Sequence, residues 1–163
     1  MARFFIRISA TFLVFLLLKQ ANYSVYATLR PLYGLFAPEF TFEATGFSDD
    51  VLQSAFARYA NITFMYGPGT PFKGGPLLPG IRVEVLSSDD SLFLGINESY
   101  SIVAPDAAAG GWVSLKAATV YGALRGLETF SQLVQFNFTD KTYSIAFANV
   151  TDYPRFPFRA VMV

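Results

Sequence analysis

The sequence contains no cysteine and no histidine. Without cysteine there is no disulfide framework and no thiol nucleophile. Without histidine the commonest general base is missing, and so are the His/Cys metal sites. An excess of one charge is also missing. Twelve basic residues balance twelve acidic ones over 163 positions. That leaves no basic patch of the kind that binds nucleic acid. Long apolar runs are absent too. The longest, Ile8 to Leu18, is well short of the ~20 residues that a membrane-spanning helix needs.

What is there is apolar and aromatic. Hydrophobic residues make up 53% of the chain, with 18 Phe and 9 Tyr. A chain of this length suits one domain that buries roughly two-thirds of the surface its unfolded form exposes. Lack of cysteine often suggests a reducing compartment, but the N-terminus argues otherwise. Arg3 and Arg7 precede the apolar run, Lys19 ends it, and Val25-Tyr-Ala27 offers a cleavage site. Residues 1–27 therefore read as a secretory signal peptide, with a membrane anchor as the alternative. Beyond residue 27, four N-x-[ST] sequons, at Asn61, Asn97, Asn137 and Asn149, fit glycosylation on that route, while a fifth, Asn22-Tyr-Ser, lies inside the segment expected to be removed; a bulky glycan belongs at the surface.

Pro31, Gly34, Pro38 and Gly46 divide residues 28–47 into loops around a short alternating strand at 39–43. Ser48-Asp-Asp50 opens a helix whose apolar side is Val51, Leu52, Ala55, Phe56 and Tyr59. The density of Gly and Pro from 65 to 80 predicts a loop. It is not a phosphate cradle, because the G-x-x-x-x-G-K-[ST] pattern is missing. Strands are expected at 81–86, 98–104 and 112–117, joined by short turns in an antiparallel meander. A last strand is expected at 140–147. Asp49-Asp50 and Asp89-Asp90 are adjacent carboxylates in polar turns, suited to capping and solvation rather than to acid catalysis, which needs a buried carboxyl.

A second helix runs from Val120 to Val134. Val120, Ala123, Leu124, Leu127, Phe130 and Val134 fall at helical spacing, with Thr119 as N-cap. Arg125, Glu128 and Gln132 lie on another face, where Arg125 and Glu128 can pair across one turn. Gly122 and Gly126 each weaken the helix by about 1 kcal/mol relative to Ala. Four residues apart, they would let another backbone come close. Mixed helices and strands, with strands in the majority, predict an α+β domain in which a mainly antiparallel sheet carries two helices on one face.

The wording of two segments is more specific. Gly-Ala-Leu-Arg-Gly-Leu-Glu-Thr-Phe-Ser-Gln-Leu at 122–133 is followed by Asp-Tyr-Pro-Arg-Phe-Pro-Phe-Arg at 152–159. Together they closely resemble the β-N-acetylhexosaminidases of glycoside hydrolase family 20, in their eukaryotic type. In that family these motifs close the small N-terminal domain and open the catalytic TIM barrel. The resemblance implies a hexosaminidase N-terminal domain over 28–153 and the first barrel strand from 154 to 163. It implies that a full-length parent acts on a terminal N-acetylhexosamine of glycans and needs no metal or cofactor. Such a parent could be a homo- or heterodimer.

Family 20 enzymes are retaining but substrate-assisted. The sugar's own acetamido oxygen attacks the anomeric carbon, a Glu protonates the leaving oxygen, and a neighbouring Asp orients the acetamido group. No stretch of this sequence matches that Asp-Glu pair, so the chain alone is expected to be inactive. One residue carries over: Arg159 stands where the family's Pro-Arg-Phe-Pro-x-Arg-Gly motif has an Arg that binds the outer hydroxyls of the terminal sugar. Ala160 departs from the motif's Gly. The alternative function is a free-standing secreted glycoprotein that binds a partner or glycan without catalysis.

Overall fold

The computed structural model describes residues 32–106 and 108–155. The signal peptide at 1–27, Arg159 and nearly all of the expected barrel strand lie outside these residues. Two sheets and two helices make up the rest. The larger sheet has the order β2-β3-β5-β4-β8, formed by Thr41–Gly46, Gly80–Val85, Trp112–Ala117, Tyr100–Asp106 and Ala148–Asp152. The smaller has the order β1-β7-β6, formed by Tyr33–Leu35, Thr142–Ile145 and Gln135–Asn137. Helix α1 spans Asp50–Thr63 and α2 spans Val120–Leu133.

The α+β class stands, and four of the six strand pairs are antiparallel. The meander does not. β3 pairs with β5 and with β2, in parallel both times, and β4 lies on the far side of β5. Alternation within each strand marks which face is buried but says nothing about which strand is its neighbour, so the order was not readable from it. The last strand of the domain is β8, not the 140–147 segment. That segment supplies β7 of the small sheet.

One face of the large sheet is apolar. Ile81, Val83 and Val85 alternate with half-buried Arg82 and Glu84, and β5 lines up beside them with Val113, Leu115 and Ala117 buried. Both helices cover this face. α1 contributes Leu52, Ala55, Phe56 and Tyr59, and α2 contributes Val120, Ala123, Leu127 and Phe130. Val51, expected on the apolar side of α1, is exposed instead. Phe40 joins the layers. Its ring stacks on Phe130 at 5.8 Å and meets Phe64 edge-on at 5.5 Å, and Phe64 in turn meets Tyr143 of the small sheet at 5.0 Å.

The opposite face of the sheet is polar. Glu43 pairs with Arg82 at 3.3 Å and Glu84 with Lys116 at 2.9 Å, each across neighbouring strands. The Arg82 guanidinium lies 4.1 Å from the centre of the Trp112 ring. Such exposed pairs contribute little individually, but they favour this register and solvate the face that no helix covers among the described residues.

Candidate functional site

Both helices start where their capping residues say they should. Asp49 Oδ1 accepts from Leu52 N at 2.7 Å, and Thr119 Oγ1 accepts from Gly122 N at 3.3 Å. The Thr119 hydroxyl also donates to Asn97 O at 2.6 Å, which ties the start of α2 to the loop before β4. That loop lies hard against the helix. A Cβ on Gly122 would sit 2.6 Å from Ser99 O, and one on Gly126 would sit 2.6 Å from Leu115 Cδ1. The two glycines therefore serve close approach, as their spacing suggested: one admits the backbone of a loop, the other the side chain of the central strand.

This approach brings Glu98 to the outer face of α2. Arg125 meets the Glu98 carboxylate at 3.2 Å and reaches Glu128 only at 3.9 Å. The expected pair within the helix is thus the weaker of the two. Sequence reasoning places Glu98 at the start of the strand expected at 98–104, but that strand begins at Tyr100 and Glu98 lies in the loop before it. Its one signal was its place inside the sequon Asn97-Glu98-Ser99. Behind it, Tyr100 Oη and Thr129 Oγ1 share a buried hydrogen bond of 2.6 Å. Glu98, Arg125, Glu128, Thr129, Asp152 and Pro154 border a polar cleft of about 220 Å³. Its far wall is the point from which the chain leads on to residues 156–163.

The cleft can hold or orient polar groups. Glu128 faces Tyr59 of α1. The Tyr59 phenol is pushed above its ordinary pKa of 10.0, mainly by burial and then by the Glu128 charge. The turn carboxylates behave as expected. Asp49 caps α1, and Asp89 Oδ1 accepts from Ser91 N at 2.9 Å. Hydrogen bonds from Ser91 hold the Asp89 carboxyl below its ordinary range, opposite to what a proton donor to a glycosidic oxygen needs. The four sequon asparagines are all exposed: Asn61 on α1, Asn97 before β4, Asn137 on β6 and Asn149 on β8.

Residues 73–133, from the end of the loop before β3 through α2, match the family model described as beta-acetyl hexosaminidase like. Among curated relatives, beta-hexosaminidase subunit A1 of Dictyostelium discoideum is 40% identical over 107 residues, 65% of this chain and 19% of that protein. The beta-hexosaminidase subunit beta of Mus musculus is 39% identical over 126 residues, 72% of this chain and 22% of that protein. Among solved structures, the Flavobacterium johnsoniae chitobiase matches 88% of this chain with 21% of its own length, at a TM-score of 0.65 and 22% identity. That last likeness shows the fold alone. The family match and these relatives put this small α+β domain among the glycoside hydrolases. More particularly, it is an N-terminal domain of the family 20 β-hexosaminidase type, as the two motifs implied. The chain spans about a fifth of the length of the relatives it matches.

Proposed function

We propose that this chain is the N-terminal portion of a β-N-acetylhexosaminidase. The whole enzyme removes terminal β-linked N-acetylglucosamine or N-acetylgalactosamine by the retaining, substrate-assisted route. The domain described above supplies none of that chemistry. Its task is to brace the catalytic domain, and the Glu98–Arg125–Glu128 cleft beside Pro154 is the part that faces it. The observation that carries this reading is the family match over 73–133, because it covers the stretch in which Gly122 and Gly126 seat α2. We also infer that residues 1–27 send the chain into the secretory route, to the cell exterior or to a lysosome or vacuole. The exposure of all four sequon asparagines supports that route.

Two measurements test the reading. The purified full chain, given a chromogenic N-acetylglucosaminide, should show no turnover above background, and robust hydrolysis would overturn the assignment of chemistry to another domain. An antibody to residues 81–117 should detect, in deglycosylated extract of the source, a protein several times the mass of this chain, with hexosaminidase activity in the same fractions. A native mass close to that of the chain itself would instead favour the free-standing glycoprotein.

A further inference from the structure

β6 is an edge strand of the small sheet, paired with β7 on one side and with no strand on the other among the described residues. An open edge invites pairing with another chain unless something covers it. Where β6 enters its turn, three aromatic rings lie together. Tyr66 and Phe136 stack at 4.9 Å, and Phe138 stands edge-on to them at 4.9 and 5.1 Å. Tyr66 is 52% exposed and Phe138 68%. The group is held in place from beneath. The Tyr66 N–H donates to Tyr143 Oη at 3.1 Å, and Phe136 packs on the Tyr143 ring at 4.6 Å. An exposed apolar patch that is fixed in this way marks an interaction site.

Between the two phenylalanines is Asn137, the first residue of Asn137-Phe138-Thr139. Its Oδ1 accepts from Thr139 N at 2.9 Å, and its Nδ2 donates to Asp140 Oδ2 at 2.9 Å. We propose that Asn137 carries an N-linked glycan whose first N-acetylglucosamine lies over Tyr66 and Phe138 and closes the β6 edge. The occupant of the patch is set by the chain itself, because its anchor is covalent. Strand alternation points Asn137 away from Phe136, and the open edge lets the sugar turn round the strand to reach the rings. The apolar C–H face of the pyranose then meets the aromatic surface, while its hydroxyls stay in water.

The proposal rests on the secretory route inferred above. The donor is a polyprenyl-pyrophosphate-linked oligosaccharide of that compartment. A bond forms between Asn137 Nδ2 and the sugar's anomeric carbon, the bond from that carbon to the pyrophosphate oxygen breaks, and the amide loses one proton. Polyprenyl pyrophosphate leaves, and nothing is oxidised or reduced.

The test is the full chain expressed with its own N-terminus in a eukaryotic secretory host. Glycopeptide mass spectrometry should find Asn137 occupied. Thr139→Ala abolishes the sequon while keeping the Asn137 side chain, and should raise the fluorescence of an apolar-surface dye severalfold. Adding Phe138→Ser should return the signal to the parental level. Enzymatic deglycosylation of the folded parent should reproduce the rise, which guards against a misfolded variant. Asn149→Gln, if that site is occupied, should remove one glycan without a change in dye binding. Glycans at other sequons but not at Asn137 would overturn this inference alone, and so would an unchanged dye signal after Thr139→Ala. The absence of glycan from every sequon would overturn it together with the secretory reading.

Discussion

Replacing Gly122 with Ala sets two effects against each other. Helix propensity alone predicts a gain of about 1 kcal/mol. Packing predicts a loss. The added methyl would sit 2.6 Å from Ser99 O, whereas a comfortable carbon-to-carbonyl contact is about 3.3 Å or more. Helix or loop must therefore move by roughly 0.7 Å, a forced shift of the kind that costs about 1–3 kcal/mol in a packed region. The loop is not free to retreat. Ser99 O accepts from Ala118 N at 3.2 Å, and Thr119 Oγ1 holds Asn97 O at 2.6 Å. The obstacle is backbone rather than the end of a flexible side chain, so the loss should win, for a net destabilisation of roughly 1 kcal/mol and at most about 2 kcal/mol. For a chain of this size each kcal/mol lowers Tm by about 2–4 °C. Urea denaturation followed by far-UV circular dichroism measures it, with exposed Gln132→Ala as a control that should stay within about 0.5 kcal/mol of the parent. Gly126→Ala should lose less, because the Leu115 side chain that it meets can adjust. Unchanged or increased stability of Gly122→Ala would refute the argument that Gly122 is there for close approach.

Two further outcomes follow from the aromatic residues. Tyr143 Oη accepts from Tyr66 N and donates to Gly67 O at 2.9 Å. Tyr143→Phe should destabilise by about 1–2 kcal/mol and speed proteolytic nicking between 66 and 80, and equal cleavage rates would count against this tether. Alkaline stability should depend on Tyr59. Its folded pKa is raised above 10.0, so the folded form holds its proton more tightly than the unfolded chain. That stabilisation is present below about pH 10 and is lost as pH rises through the folded pKa. Tyr59→Phe should flatten the fall in stability over that window, measured alongside phenolate absorbance. An unaltered slope would show that the phenol does not drive it.

The legible parts of this fold were those with a local cause. Asp49 and Thr119 announced the two helix starts, since a short polar side chain before an apolar-periodic run can satisfy the first free amides. Trp112–Ala117 was readable to the residue, because polar and apolar positions alternate from Val113 to Ala117 and the Gly110-Gly111 turn ends just before it. The short strands were not. β1 and β6 have three residues each, too few to show a period, and the strand expected at 140–147 covers β7 but stops short of β8, which was not foreseen. Strand order escaped because the β2–β3 pair is parallel through the crossover of α1, and the β3–β5 pair is parallel because β4 passes to the far side of β5, which no single strand records. At the polar cleft, Arg125 and Glu128 were visible as neighbours on a helix. Glu98 comes from a separate loop and became their companion only once Gly122 had let that loop approach.

The pairing of Tyr33 with Ile145 joins positions more than a hundred residues apart. A ribosome adds roughly 5–20 residues per second, so β1 leaves it several seconds before β7 exists. During that interval Leu35, which ends fully buried, has no partner strand. The small sheet can close only when synthesis has passed both helices and the large sheet's inner strands. It therefore acts as a clasp set late, with only β8 still to join the large sheet, and a chain that stalls before β7 would present an open edge to whatever chaperone is waiting.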